Sequence, residues 1–462
     1  MRTSRESLTL GALRVCATVA VLLFVTAASG AAQAPPATLT LDDALRLARE
    51  HSPQYRQVMN DVRVASAEVR QSYGAFLPSL SASLGYNGMS TRTSTGQGNF
   101  GEVIEDEERT VETSSGSHGI GARMTLFDGG AMFRRVSAAR AQEDAAEATI
   151  AASLTQLDAT VQRAWHDAQR AERLIELEER LLASARERLE RSQELFRIAA
   201  ATQVDVLGAQ VDVASQEQTL AAARDAARKD RLVLLETIGL PPQNADAFVI
   251  PADAPTAFDP ASLDVSALVA QALQASPTVL QRHAMADAAS REAEVARAGR
   301  WPSIDANVNY NRSLREPGAF DAFGQLGAQQ RGFSFGLSAN LPIFSNFRTA
   351  AAIARAEASA EDAREQARAM RLQTEREVRA AVIDLENAHR QLTLAEQKAA
   401  LSAQRLELAT EQYRLGALDF LSLQRVIDDT SSAERQALDA RYGFVRARVA
   451  LEEWLGASLP RD

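Results

Sequence analysis

Twice in this chain an alternating stretch runs into 67 residues that contain neither Gly nor Pro, at 131–197 and again at 348–414. The words at the switch are alike: "TLFDGGAMFRR" in the first case and "LPIFSNFR" in the second. Gly and Pro are the residues that most disfavour a helix interior, so each segment reads as one uninterrupted helix. At 1.5 Å per residue such a helix is about 100 Å long. Globular helices average about three to four turns. Two rods of this length cannot be wrapped into one compact core. They must pack side by side.

A heptad pattern says how. In the second rod Val378, Ala381, Leu385, Ala388, Leu392, Ala395, Ala399, Ser402 and Leu406 are spaced three and four residues apart throughout. Subtracting 217 gives Val161, Ala164, Ala168, Ala171, Ile175, Glu178, Leu182, Ala185 and Leu189, where only Glu178 departs from the seam. Such a repeat predicts coiled-coil packing, and its small residues allow close approach.

The offset recurs because the chain is an internal repeat. "HSPQ" at 51–54 matches "ASPT" at 275–278, and Pro78 matches Pro302, both at 224. "LF" at 126–127 matches "IF" at 343–344, "ELFRIAAAT" at 194–202 matches "EQYRLGALD" at 411–419, and "TIGLP" at 237–241 matches "WLGAS" at 454–458, all at 217. The seven-residue difference falls between Pro78 and Phe127, inside a hairpin, where length changes are tolerated. The helical part has none, as expected of helices in register, since one extra residue rotates every later side chain by about 100°.

Each half reads helix, helix, hairpin, long helix, return helix. The first half is assigned 33–240, with strands 79–90 and 117–127, long helix 131–197 and return helix 203–238. A Pro-rich linker follows at 241–265. The second half is 266–462, with strands 303–313 and 331–344, long helix 348–414 and return helix 419–455. "SP" at 52–53 and 276–277 reads as a Ser N-cap with Pro in the first turn. Gly416 suits the second tip turn, and Ala199 stands at the equivalent place in the first.

Residues 1–32 have the order of a secretory signal peptide: Arg2, Arg5 and Arg14, an apolar run from Val15 to Ala28, then small residues. The alternative is a membrane anchor. Cys16 is the single Cys and lies early in that run, so a mature chain carries no disulfide and no thiol chemistry. No later segment offers eighteen consecutive apolar residues. The net charge of −10 argues against a nucleic-acid partner.

The hairpin strands alternate. One side carries Leu80, Ala82, Leu84, Ile120, Met124, Val308, Phe333, Phe335 and Leu337. The other carries Ser81, Ser83, Asn87, Arg123, Asp305, Asn307, Asn309, Ser334, Ser338 and Asn340. Each strand has about the length needed to cross a bilayer. Aromatics (Tyr86, Phe127, Trp301, Tyr310, Phe333, Phe344) gather near the strand ends, as in interfacial girdles. A soluble sheet with one wet face is the alternative. Small and amide side chains on the polar side suit a barrel lumen. Four strands cannot close, and open edges in lipid leave backbone groups unpaired. Two copies give eight strands and a filled interior, three give twelve and an open channel.

At this point the chain resembles the TolC-type outer-membrane efflux family. The resemblance rests on the openings Leu41, Ala44, Leu45, Ala48, Ser52 and Pro53, on "LPS" and "WPS" before the strands, on "FDGG" and "FSNFR" after them, and on "YRLGALD" at the tip. It implies an α+β membrane protein that works as a homotrimer. A twelve-stranded β-barrel would sit in the outer membrane, continued by an α-helical barrel across the periplasm. It also implies an exit duct for drug efflux pumps or type I protein secretion, docked to a periplasmic adaptor and driven by an inner-membrane transporter. The family's periplasmic gate maps onto Asp205 and Tyr413. Leu418, Ser422 and Arg425 stand where the family has Arg and two Asp, so its acidic ring is not reproduced there. Asp419, Asp428 or Asp429 could substitute, although a solvated helix face is the simpler reading of the last two. The tips at 198–202 and 414–419, with Ala199, Ala200, Thr202, Leu415, Gly416 and Ala417, would meet the adaptor.

Other signals carry less. "GQGNFG" at 96–101 fits a nucleotide-loop spacing but lacks the surrounding βαβ unit. The acidic run at 102–108 reads as a solvated loop. The five His are scattered without metal-ligand spacing, and Trp165 and His166 read as packing residues within a helix. No catalytic constellation or cofactor motif is present, so a non-enzymatic duct is expected. A periplasmic coiled-coil scaffold is the alternative of a different class.

Overall fold

The computed structural model describes residues 38–94, 108–199, 201–244, 248–251, 257–317 and 330–459. The signal peptide expected at 1–32, the 96–101 motif, Ala200 and all but the last residue of the acidic run at 102–108 lie outside the described residues. The elements in chain order are α1 Leu41–His51, α2 Pro53–Gly74, β1 Ser79–Ser94, β2 Glu108–Asp128, α3 Ala131–Arg197, α4 Gln203–Ile238, α5 Val265–Ala275, α6 Pro277–Ala298, β3 Ser303–Pro317, β4 Gln330–Asn340, α7 Arg348–Arg414 and α8 Phe420–Leu455. The helices of the two halves match in length at 11, 22, 67 and 36 residues. Between the halves the described chain forms short turns at Pro242–Asn244 and Pro260–Ser262, and Val249 makes a parallel β-bridge with Thr38.

The halves also repeat their unusual backbone. Each strand leads into its long helix through two consecutive left-handed residues, Gly129–Gly130 and Asn346–Phe347. Each return helix ends in a left-handed glycine, Gly239 or Gly456. A Cβ at Gly239 would lie 2.5 Å from the His51 carbonyl oxygen, and one at Gly456 2.4 Å from Pro277 Cδ. Each glycine therefore lets the return helix stop against the break between the two short helices of its own half. Ser52 and Ser276 occupy the N-cap positions of α2 and α6 with Pro following, yet neither side chain makes the capping bond. The fixed φ of Pro starts these helices, and both Ser are buried under the glycine stop.

The long helices are the frame. The N-terminal part of α3 lies against α2 and α6, and its C-terminal part against α4; α7 lies against α6 and then α8. All nine seam positions of each rod are buried or half-buried. Two matching apolar clusters form where the short helices meet the rods. One gathers Leu47, Val161, Trp165, Leu235 and Ile238, the other Ala272, Val378, Leu385, Leu451 and Leu455. His166 is buried beside the first cluster, and burial pushes its imidazole down to about 4.

The four strands form one antiparallel meander in the order β1-β2-β3-β4. β1 and β2 run past the bounds read from the sequence, to Ser94 and from Glu108, because their outer ends, "STRTS" at 90–94 and "ERTVETSSG" at 108–116, are polar and carry no apolar alternation. β3 likewise reaches Pro317. β4 stops at Asn340, short of 344. Pro342 has no N–H to donate to a ladder, which ends the strand there. The β2–β3 register slips between Thr125 and Phe127, so Leu126 is the extra residue and Phe127 pairs with Ile304. No helix among the described residues is long and apolar enough to cross a membrane.

Candidate functional site

Residues directly opposite in a ladder project to the same face. The register assembles three polar rungs: Ser81–Gly121–Asn309–Ser334, Ser83–Gly119–Asn311–Gly332 and Ser79–Arg123–Asn307–Gly336. Asp305 pairs with Thr125 and Ser338, Asn340 with Ser303, and Asn87 with Ser115. All ten polar strand residues singled out in the sequence therefore share one face. A Cβ at Gly121 would lie 2.8 Å from Asn309 Oδ1, and one at Gly336 2.7 Å from Asn307 Oδ1. The glycines thus let the β3 amides lie down across both neighbours. The Thr125 hydroxyl donates to Asp305 Oδ1 at 2.7 Å.

The opposite face is apolar in rungs such as Leu80–Ala122–Val308–Phe335 and Ala82–Ile120–Tyr310–Phe333. Leu80, Phe333 and Phe335 are 76%, 72% and 67% exposed, a continuous apolar surface of the kind that marks a membrane or protein contact.

At the helix tips the sequence-predicted residues carry local structure. Ala199 is left-handed at φ 59 and Gly416 at φ 72, so both tip turns use the same backbone, the first at the expense of a non-glycine residue. Thr202 and Asp205 form a capping box: the Thr202 N–H donates to Asp205 Oδ2 at 2.8 Å, and the Asp205 N–H to Thr202 Oγ1 at 3.2 Å. Asp419 caps α8 by accepting from the Ser422 N–H at 2.9 Å and its hydroxyl at 2.7 Å. Those hydrogen bonds hold the Asp419 carboxyl below its ordinary value. Leu418 and Tyr413 pack on Ala409, Leu423, Val426 and Ile427. Burial, then the nearby Asp205 carboxylate, pushes the Tyr413 phenol up. Leu415, Ala417 and Arg425 are exposed. Asp428 and Asp429 are not a bare acidic face, since Gln424 donates to Asp428 at 3.2 Å and Arg405 to Asp429 at 3.0 Å.

Sequence reasoning missed the joint between the halves. Glu178, the one misfit of the seam, is 1% exposed. Arg435 of α8 grips it with two bonds of 2.6 and 2.9 Å, and Gln216 of α4 donates to it as well. The same α3–α8 line carries Arg163–Glu453, Asp167–Arg446 and Arg170–Asp439. Nearer the tips Gln424 donates to Asp212 at 3.2 Å, and Asp212 also takes Arg188 at 2.8 Å. A Cβ at Gly208 would lie 2.9 Å from the Phe420 ring, so this glycine is the notch in α4 that seats the first residue of α8. A second pattern was legible but unread: Leu394, Leu401, Leu408 and Leu415 repeat every seven residues and are all about two-thirds exposed. On α4, Val204, Leu207 and Val211 are exposed too.

A two-faced antiparallel sheet continued by long paired helices is the architecture of this chain. The family profile described as outer membrane efflux protein matches residues 44–240 and 268–457, and the chain belongs to this TolC-type family. It is 26% identical over 318 residues to protein CyaE of Bordetella pertussis, covering 68% of this chain and 63% of that protein. The chain thus spans less than two thirds of the length of that relative. Its fold matches the outer membrane protein VceC of Vibrio cholerae with TM-score 0.70 at 19% identity, covering 90% of this chain and 96% of that one. It matches the MtrE outer membrane channel of Neisseria gonorrhoeae with TM-score 0.68 at 20% identity, covering 91% and 90%.

Proposed function

We propose that three copies of this chain form an outer-membrane exit duct. It would pass small molecules delivered by an inner-membrane pump and a periplasmic adaptor to the exterior. The observation that carries this reading is the sheet: one face polar, the other apolar and exposed, with no strand paired to the outer edges of β1 and β4 among the described residues. Backbone groups unpaired in lipid are costly, so the edges must meet other copies. Three copies give twelve strands around a polar lumen. The exposed stripes on α4 and α7 supply apolar surface for neighbouring copies, so that the rods continue the barrel as a tube in the periplasm. The tips around Asp205 and Tyr413 would form its gate, and 198–202 with 414–419 the adaptor contact. The duct itself performs no chemistry.

Cysteine scanning tests the sheet assignment cleanly, because Cys16 in the expected signal peptide is the single native Cys. Ser81→Cys and Ser334→Cys should react with a charged, membrane-impermeant maleimide in intact outer membranes. Leu80→Cys and Phe335→Cys should react only with a lipid-soluble reagent. Equal labelling of both sets would refute the lumen and lipid assignments. Crosslinking in cells then identifies the pump, and capture of a protein-exporting transporter would reassign the cargo from small molecules to polypeptide.

A further inference from the structure

The apolar face of the sheet ends in a basic row. Beyond Ala82–Ile120–Tyr310–Phe333, the next rung on that face is Leu84–His118–Arg312–Arg331. Arg312 stands directly opposite His118 on one side and Arg331 on the other. Residues paired in this way have Cβ atoms about 5 Å apart, and like charges there repel. Among the described residues no carboxylate pairs with either guanidinium. Arg331 is exposed, and Arg312 and His118 are half-buried. An uncompensated cationic row at the rim of an apolar surface calls for an anion.

Its height says which anion. The helices join the sheet at Ser79, Asp128, Ser303 and Asn340, and the row lies past the apolar rungs on the side away from them. That is the exterior side in the exit-duct reading, on which this inference rests. From Ile304, on the helix side, to Arg312 is about 27 Å along β3 at ~3.4 Å per residue. At the 35–45° tilt of membrane barrels this is about 20 Å of height, close to their apolar band of ~25 Å. The row therefore falls at the outer rim of the band, where the phosphates of outer-leaflet lipid lie. Tyr310 and Phe333, one rung below, fall at the level of an aromatic girdle. Arg holds phosphate through parallel N–H bonds, and two on neighbouring strands can share one phosphate. We propose that Arg312 and Arg331, with a ring N–H of His118 beside them, bind a phosphate of lipid A, the phosphorylated glycolipid of the outer leaflet. Tyr310 and Phe333 pack on its acyl chains. Each copy carries its own site, so the glycolipids fix the height of the barrel in the membrane.

The test is native mass spectrometry of the protein extracted from outer membranes, stripped of lipid in detergent and titrated with diphosphoryl lipid A. Saturation at one lipid per chain is expected. Replacing both arginines, Arg312→Gln with Arg331→Gln, should weaken binding at least tenfold. Arg331 is exposed on an edge strand, so Arg331→Gln alone, weakening binding severalfold, carries the test if the double variant does not fold. Dephosphorylated lipid A should bind the parent no better than diphosphoryl lipid A binds the double variant. A tenfold molar excess of sodium phosphate should not displace the lipid. Arg123→Gln, on the polar face, should leave lipid binding unchanged. If Arg123→Gln weakens binding and the Arg312 and Arg331 changes do not, the two faces are reversed, and the exit-duct reading falls with this site. If no variant weakens binding, if the dephosphorylated lipid binds equally well, or if free phosphate displaces lipid A, this site alone is overturned.

Discussion

Glu178 is where a heptad seam has been broken to join two repeats, and its energetics can be worked from the contacts. Burial alone would push its carboxyl up; the bonds from Arg435 and Gln216 outweigh this and hold it below its ordinary value. Replacing Arg435 by Met leaves a carboxylate that is 1% exposed with only an amide partner. Such an orphaned charge costs about 3–5 kcal/mol, less whatever is relieved by taking up a proton. Glu178→Leu is milder, because Arg435 is one-third exposed and can turn to water. Its expected cost is about 1 kcal/mol. The double variant restores an apolar seam and should lie between unchanged and about 2 kcal/mol more stable than the parent. The coupling in this cycle is thus at least about 4 kcal/mol, less whatever proton uptake relieves in Arg435→Met. The assay is guanidinium unfolding in detergent followed at 222 nm. Acidification separates the variants further. In the parent, the stability the pair contributes is present above the ordinary carboxylate pKa and is lost as pH falls through the lowered folded value. In Arg435→Met the folded pKa is raised instead, so that variant regains stability as the pH drops. A cycle that adds within 0.5 kcal/mol, roughly the additivity limit for independent sites, would refute the reasoning.

Three further outcomes follow. Ala199→Gly relieves a left-handed alanine that Gly416 avoids in the other half, and should stabilise the protein by about 0.5–1 kcal/mol in the same unfolding assay. Burial holds the His166 imidazole at about 4 against an unfolded value near 6.5, so the folded state binds fewer protons between these values and loses stability as pH falls across them. His166→Leu should remove roughly 2–3 kcal/mol of the stability difference between pH 7 and pH 4.5. Replacing both Asp205 and Tyr413 by Ala should raise single-channel conductance in a planar bilayer, and unchanged conductance would move the gate elsewhere.

What the sequence disclosed depended on how far each signal reached. The rods were legible because Gly and Pro are absent from 131–197 and 348–414, and that absence is a local property. The strand faces were legible because apolar residues alternate from Leu80 to Tyr86 and from Phe333 to Leu341. The strand ends were not, since the polar stretches beyond, "STRTS" at 90–94 and "ERTVETSSG" at 108–116, carry no apolar alternation. The bulge at Leu126 was also hidden, because alternation within β2 does not reveal its register against β3. The tip residues carry a local signal: "TQVD" and "DFLS" are capping sequences, with Thr202 the N-cap that Asp205 completes as a capping box and Asp419 the N-cap of α8. The joint was not legible at all. Glu178 and Arg435 are 257 residues apart, and only the fold brings them together. Gly208 gave no hint of Phe420 for the same reason.

The central claim is that this sheet closes only with the strands of two further copies. The most direct test is the mass of the protein extracted from the outer-membrane fraction, measured by light scattering and corrected for bound detergent. The account predicts three chains per particle. A monomer or dimer in detergent, or a protein recovered only from the soluble periplasm, would contradict it and favour a periplasmic coiled-coil scaffold.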